Sequence, residues 1–179
     1  MPKLSITGDL GSGKSTVARA LVERLDATYV STGNIQRALA AELGLTTLEM
    51  NHRADVDPTI DVTIDGRLIE MGKTLSNAVF DSRLAWHFVP DSTKIYLKCD
   101  PNIAAQRVKR DQTRTSEEYV DEEQALVAIL ARKKSENNRF LQKYGVDCAD
   151  LTNFDVVIDT SDLTATEVVE AVIQAVEAR

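Results

Sequence analysis

Leu4-Ser5-Ile6-Thr7-Gly8-Asp9-Leu10-Gly11-Ser12-Gly13-Lys14-Ser15-Thr16 runs from an apolar stretch, through a glycine-rich turn, into Lys-Ser-Thr. Its centre, Gly8 to Ser15, fits the pattern G-x-x-x-x-G-K-S. The flanks fit as well. Lys3 to Thr7 reads as a short buried strand. Ser15 to Leu25 reads as an amphipathic helix with Val17, Ala18, Leu21, Val22 and Leu25 on one face. Glycines let the backbone curl until its N–H groups point inward as an anion nest, completed by the positive end of the following helix. Lys14 is then expected to reach the β- and γ-phosphates of a nucleoside triphosphate, and the Ser15 hydroxyl to hold Mg²⁺. A chance glycine-rich turn is the alternative, and the strand before it and the helix after it argue against that.

Working outward, the same alternation recurs. Thr28–Ser31 reads as a second strand, before a helix from about Asn34 to Glu42. Helical stretches follow near Thr47–Ala54 and Thr59–Met71, the latter after a helix start at Asp57-Pro58. Ala78–Phe80, Lys94–Cys99 and Asp155–Asp159 read as three more strands. Asp100-Pro101 opens a helix, with the aspartate as N-cap and proline in the first turn. Thr115-Ser116-Glu117-Glu118 has the form of a capping box for a long helix reaching about Tyr144. Thr164-Ala165-Thr166-Glu167 has the same form, ahead of a helix that turns Val168, Val169, Val172, Ile173 and Val176 inward. Five short strands alternating with helices predict an α/β fold, a five-stranded parallel sheet with helices on both faces. In such sheets ligands bind at the carboxyl ends of the strands. That edge collects the glycine-rich loop, Ser31-Thr32-Gly33, Asp81-Ser82-Arg83, Asp100 and Asp159-Thr160.

Bulk composition narrows the class. The chain has 179 residues, 43% hydrophobic and 27% charged, enough for one domain with a real core. A net charge of -7 argues against a polymeric nucleic-acid partner, since no basic surplus exists to displace counterions. It does not argue against a small phosphorylated ligand. No apolar run approaches a membrane span. The strand begins almost at the first residue, so no targeting peptide is expected, and the two distant cysteines, Cys99 and Cys148, suit a reduced, cytoplasmic protein. Cys99 ends an apolar pattern and is expected to be buried. His52 and His87 form no metal-ligand spacing and read as structural or surface groups.

The phosphate loop alone does not select a reaction, because switches, motors and kinases share it. A guanine-reading Asn-Lys-x-Asp segment is missing from the sequence. Arginines are plentiful instead. Arg107, Arg110 and Arg114 recur at near-helical spacing, and Arg132, Glu136 and Arg139 share a helix face. By itself the second group could be a solvated face with an ion pair. Beside a triphosphate site, arginine forks suit charge on a transferring phosphoryl group. Asp81, at a strand end beside the loop, is the candidate carboxylate for ordering Mg²⁺ with Ser15. Trp86 could line a nucleoside pocket, but a core position is the stronger reading.

Ser5–Ala18, Tyr29–Arg37 (YVSTGNIQR), Phe80–Leu84 (FDSRL), Lys94–Leu97 (KIYL), Arg132–Arg139 (RKKSENNR), Tyr144–Asp147 (YGVD) and Phe154–Ser161 (FDVVIDTS) together resemble the cytidylate (CMP/dCMP) kinases, especially the compact archaeal-type members. The resemblance spans nearly the whole chain. It implies a P-loop NTPase of the nucleoside monophosphate kinase kind, a single domain over residues 1–179, with a helical monophosphate-binding flap and a lid. The core is expected at about 1–33, 75–106 and 145–179, the flap at about 34–74, and the lid with its flanking helix at about 107–144. ATP, held by Gly8, Asp9, Leu10, Gly11, Ser12, Gly13, Lys14, Ser15 and Thr16, is the implied co-substrate, with Mg²⁺ at Ser15 and Asp81. The implied acceptor, CMP or dCMP, falls to Ser31, Thr32, Arg37, Arg83, Arg132, Glu136 and Arg139, with Glu136 near the cytosine or its neighbours. Lys14, Arg107, Arg110 and Arg132 are the expected catalytic cations, and a monomer is expected. Another small P-loop kinase with a different monophosphate or metabolite, or a non-catalytic ATP-binding regulator, are the alternatives. Three residues depart from the family pattern. Asp9 stands where proline is common, Ser82 where glycine is usual, and Ala104 where many relatives carry a further lid arginine. A carboxylate at Asp9 is unfavourable beside phosphates unless it points away or orders Mg²⁺ through water.

Overall fold

The structure is a computed structural model, and it describes residues 3–46, 49, 50, 52, 53, 57–110 and 119–179. Five strands form one sheet: β1 (Leu4–Gly8), β2 (Thr28–Ser31), β3 (Ala78–Asp81), β4 (Thr93–Lys98) and β5 (Val156–Asp159). Their order is β2-β3-β1-β4-β5 and every pairing is parallel. The helices are α1 (Lys14–Leu25), α2 (Thr32–Glu42), α3 (Pro58–Thr74), the short α4 (Ala85–Phe88), α5 (Pro101–Arg110), α6 (Glu122–Tyr144) and α7 (Ala165–Glu177). The parallel α/β architecture is therefore the one that the alternating pattern predicts.

Period-two alternation divides the sheet residues between two faces. On β4, Ile95 and Leu97 join Leu4, Ile6 and Val79 against Val17 and Leu21 of α1 and Val168 and Val172 of α7. Tyr96 points the other way, into an aromatic cluster with Trp86, Phe140 and Phe154. Phe80 likewise leaves its neighbour Val79 and packs with Ile35, Leu39, Ile60, Ile64 and Leu68 of α2 and α3. Central β1 is buried along its whole length, as a strand covered on both faces must be. Trp86 is 6% exposed and sits in the core, its indole N–H donating to the Arg83 carbonyl at 3.0 Å. His87 packs among Trp86, Phe88 and Tyr144, His52 is exposed, and Cys99 is buried.

Helix starts follow local chemistry. Thr164 and Glu167 cap α7 reciprocally, and Asp57 caps α3 ahead of Pro58. Asp100 accepts from the Asn102 N–H at the start of α5. Two boundaries differ from the sequence reading. The helix expected from Asn34 starts two residues earlier, at Thr32, because the Ser31 hydroxyl accepts from the Asn34 N–H and acts as N-cap. The long helix reaches Tyr144 as expected but opens on Asp121, whose carboxylate accepts from the Gln124 N–H. The expected box at Thr115–Glu118 and Arg114 lie outside the described residues, as does part of the expected helix at Thr47–Ala54.

Strand register fixes the functional edge. Ser31 pairs with Asp81, Ile6 with Asp81, Gly8 with Leu97, and Lys98 with Asp159. The carboxyl ends of all five strands therefore open on one side, with β1 between β3 and β4, where connections leave in opposite directions.

Candidate active site

The loop after β1 wraps a cavity of about 400 Å³, lined by Asp9, Leu10, Gly11, Gly13, Lys14, Ser15, Thr16, Arg19, Arg83, Arg107 and Val108. Close packing explains the glycines. A Cβ on Gly8 would collide with the Leu97 carbonyl, and one on Gly11, whose φ is 78°, would lie 2.7 Å from the Ala104 carbonyl. The same contact explains Ala104. It is 1% exposed and its methyl faces Gly11, so α5 reaches the loop only because the residue is small.

Lys14 lies 3.2 Å from Asp81, and Asp81 also accepts from the Tyr29 hydroxyl at 2.8 Å. Burial pushes the Lys14 amine below its usual range, with Asp81 opposing and Arg83 adding to the shift. Burial pushes the Asp81 carboxyl up, but Lys14, Ser15 and Tyr29 outweigh it and hold it below the ordinary carboxylate range. One carboxylate thus fails to repay the desolvation of the ammonium group, while the carboxylate itself is well supplied with partners. A polyphosphate in the loop would add negative charge beside Lys14. Arg19, a residue the sequence reading did not single out, lies 5.9 Å from the centre of the Tyr29 ring and completes the wall.

The Asp9 carboxylate is taken up by groups of β4 and α6. One carboxylate oxygen accepts from the Tyr96 hydroxyl at 2.8 Å and the Lys133 ammonium at 2.6 Å, and the other from the Cys99 N–H at 3.0 Å. The carboxylate therefore ties the loop to β4 and to α6.

Beyond Asp81 the chain turns at Ser82-Arg83. Ser82 does not require positive φ; among the described non-glycine residues only Asp26 has it. The turn is held by Thr7 of β1, whose hydroxyl is 2.8 Å from the Ser82 carbonyl and 2.9 Å from that of Arg83. Arg83 donates to the Gly8 carbonyl at 3.0 Å and lies 3.2 Å from Glu136 of α6. That second contact is an ion pair in which the Glu136 oxygen takes no hydrogen bond. Arg83 also lines a second cavity of about 320 Å³, with Thr32 and Gln36 of α2, Asp61, Ile64 and Asp65 of α3, and Glu136, Arg139, Phe140, Lys143 and Tyr144 of α6 among its walls.

Thr32, Arg83, Glu136 and Arg139 thus meet around one cavity, and Lys14, Ser15, Asp81 and Arg83 around the loop. Other expected site residues stand apart. Ser31 caps α2 and lies on a different, more apolar cleft. Arg37 reaches back along its own helix to Asn34 at 2.5 Å, outside both cavities. Arg110 is exposed at the end of α5. Arg107 lines the loop cavity, but its guanidinium donates to the carbonyls of Thr160 (2.8 Å) and Ser161 (3.0 Å) and so anchors the β5–α7 connection. Arg132 pairs with Glu136 at 2.8 Å, so Glu136 stands between two arginines, Arg83 and Arg132. Asp61, Asp65, Lys133 and Tyr144 escaped the sequence reading. Asp61 and Asp65 sit one turn apart on α3, a spacing that could have flagged a shared face.

The fold and the loop together define a P-loop nucleotide-binding protein, and its relatives make it an ATP-dependent kinase. A family profile described as "AAA domain" matches residues 5–127. A cytidylate kinase of Sulfolobus acidocaldarius is 34% identical over 174 residues, covering 96% of this chain and 92% of that protein. The chain belongs to the cytidylate kinase family, whose similar curated members are mainly archaeal and 33–37% identical. A protein of Lacinutrix mariniflava named S-adenosylmethionine-dependent nucleotide dehydratase is 35% identical over 96% of this chain, yet the match spans only 35% of that protein. Among solved structures, shikimate kinase of Acinetobacter baumannii in complex with shikimate superimposes with a TM-score of 0.66 over 99% of this chain and 94% of that one, at 17% identity, a likeness of fold alone. Among the described residues no helix is long and apolar enough to cross a membrane.

Proposed function

We propose that this chain is a nucleoside monophosphate kinase that transfers the γ-phosphoryl group of ATP to CMP or dCMP, giving ADP and CDP or dCDP. One observation carries the reading. Arg83 lines both cavities, so a cation sits where a triphosphate in the loop and a monophosphate beside Thr32 and Arg139 would meet. The name cytidylate kinase borne by the similar proteins supports the choice of acceptor.

In the transfer, an acceptor phosphate oxygen forms the new bond to the γ-phosphorus. The bond to the bridging oxygen of ADP breaks. The nucleophile is already an oxyanion, so no strong general base is needed, and positioning with charge neutralisation does the work. Loop amides and Lys14 hold the donor. Arg83 and Arg139 hold the acceptor, and the N-terminus of α2 at Thr32 adds its dipole. The Ser15 hydroxyl and the Asp81 carboxylate are the kind of sparse oxygen donor set that Mg²⁺ accepts when phosphates and water complete its shell. Bound there, the ion would neutralise donor phosphate charge. The α2–α3 region acts as the acceptor flap. Residues 111–118 of the expected lid lie outside the described residues.

Incubating the protein with ATP and, separately, CMP, dCMP, UMP, AMP and dephospho-coenzyme A tests the assignment. CDP and dCDP are the expected products. Preferential turnover of another acceptor would replace the substrate, and tight ATP binding without turnover of any acceptor would remove the catalytic reading.

A further inference from the structure

Beside the loop cavity the Asp81 carboxylate is shared between three groups. Its Oδ1 faces the Lys14 ammonium at 3.2 Å, its Oδ2 accepts from the Tyr29 hydroxyl at 2.8 Å, and the Ser15 hydroxyl also bonds to it. We infer that Tyr29 is a positioning residue of the donor site: its hydroxyl pins one oxygen of Asp81 and keeps the other turned toward the loop, where a divalent cation beside Ser15 would need it. The inference rests on the reading of the loop as a triphosphate and Mg²⁺ site and deepens it to the group that orients the carboxylate.

Strand register brings the two side chains together. Tyr29 of β2 pairs with Val79 of β3, and Ser31 pairs with Asp81. Tyr29, Val79 and Asp81 therefore leave the sheet on one face. The tyrosine ring spans the two-residue offset, and its hydroxyl meets the carboxylate at the strand end. The ring itself is held from two directions. It packs with the cluster that contains Val17, Leu21 and Val79, and the Arg19 guanidinium lies 5.9 Å from its centre.

The three partners of Asp81 differ in what a ligand would do to them. Lys14 and Ser15 open α1, and a bound triphosphate with its cation would draw both from Asp81, one to phosphate oxygens and the other to the metal. Tyr29 lines a different cleft, with Ser31, Asn34 and Ile35, so a ligand in the loop leaves it in place. Asp81 is 7% exposed, and little water reaches it to take over the bond. The last torsion of an aspartate is broad and roughly two-fold, so a carboxylate without a fixed partner turns easily. Without the hydroxyl, both oxygens of Asp81 would be free to follow Lys14 and hold that ammonium back from the phosphates. Groups that orient a metal-binding carboxylate by a hydrogen bond contribute about ten- to a hundredfold to metal affinity.

Calorimetric titration of the protein with ATP, once with Mg²⁺ and once with EDTA, tests this without turnover. Tyr29→Phe keeps the ring, its packing and the Arg19 contact, and removes only the hydroxyl. It is expected to weaken binding of ATP with Mg²⁺ by about ten- to a hundredfold, and binding without the ion by less than about twofold. In an Asp81→Ala background the same substitution is expected to change either affinity by less than about twofold, because the group it acts through is gone. Unchanged affinity for ATP with Mg²⁺ in Tyr29→Phe would overturn the inference. So would an equal loss with and without the ion, which would mark the hydroxyl as a purely structural group. A loss that persists in full in the Asp81→Ala background would overturn it too, by showing that Tyr29 does not act through Asp81. Wild type that binds ATP under neither condition would remove the reading of the loop and this inference together.

Discussion

The loop cavity, the proposed donor site, and the cavity beside it, the proposed acceptor site, are built in opposite ways. The loop cavity is lined mostly by one stretch, Asp9 to Thr16, the turn after the central strand and the start of the first helix, and such loops bind phosphate largely through backbone N–H groups. The acceptor cavity draws single side chains from α2, α3, the turn after β3, and α6. A backbone site needs particular dihedrals and close approaches, and these force glycines into fixed spacing. A side-chain site needs only that distant helices bring the right groups together. The first is rigid by construction. The second depends on how α3 and α6 are held, through Asp61–Lys143 and Asp65–Tyr144.

The contrast breaks first at Lys14. Replacing Lys14 with Ala should lower kcat by about a hundred- to a thousandfold, the scale for removing a preorganised group aimed at transition-state charge. KM for the monophosphate should move little, and the melting temperature only modestly, since Asp81 keeps Tyr29. Near-normal kcat would show that the loop does not position the reacting phosphate. Arg139→Ala should act on the other side. KM for the monophosphate should rise about ten- to a hundredfold, as for a lost charge-assisted contact, with KM for ATP nearly constant. Equal effects on both constants would merge the two cavities into one functional unit.

The same contrast governs how much could be read in advance. The strands, their parallel arrangement and the loop were legible, because period-two and helical patterns and glycine spacing are local properties. Lys14, Ser15, Asp81 and Arg83 followed from the loop and from strand ends. Asp61 and Asp65 did not, because acids on a helix most often form a solvated face, and only the approach of α6 turns them inward. Arg37 and Arg110 illustrate the converse. Arginine spacing cannot say whether a guanidinium will reach a cavity, bond along its own helix or face solvent. Asp9 could be flagged as odd but not explained, since Lys133 lies 124 residues away.

Asp9 joins the two halves of the comparison, because it belongs to the donor loop yet binds the helix that walls the acceptor cavity. Asp9→Ala would leave the Cys99 N–H and the Tyr96 hydroxyl without their acceptor. The expected loss is about 1–3 kcal/mol of unfolding free energy, read by chemical denaturation. Loss of ATP affinity should accompany it, because the loop is pinned to β4 by the same bonds. Full stability would mean that water replaces the carboxylate.

Lys133→Ala probes only the link to α6 and should have the smallest effect. Its side chain is 41% exposed, so solvent screens the pair despite the 2.6 Å contact, and the expected loss is about 0–1 kcal/mol. Asp9 would keep its Tyr96 and Cys99 partners, so the loop should stay in place and KM for ATP should change less than about twofold. Lys133 is nevertheless one turn from Glu136 on the helix that positions Arg139. If the substitution raised KM for the monophosphate while sparing that for ATP, α6 would be transmitting the state of the donor loop to the acceptor cavity. With both constants unchanged, the two cavities communicate only where they touch, at Arg83.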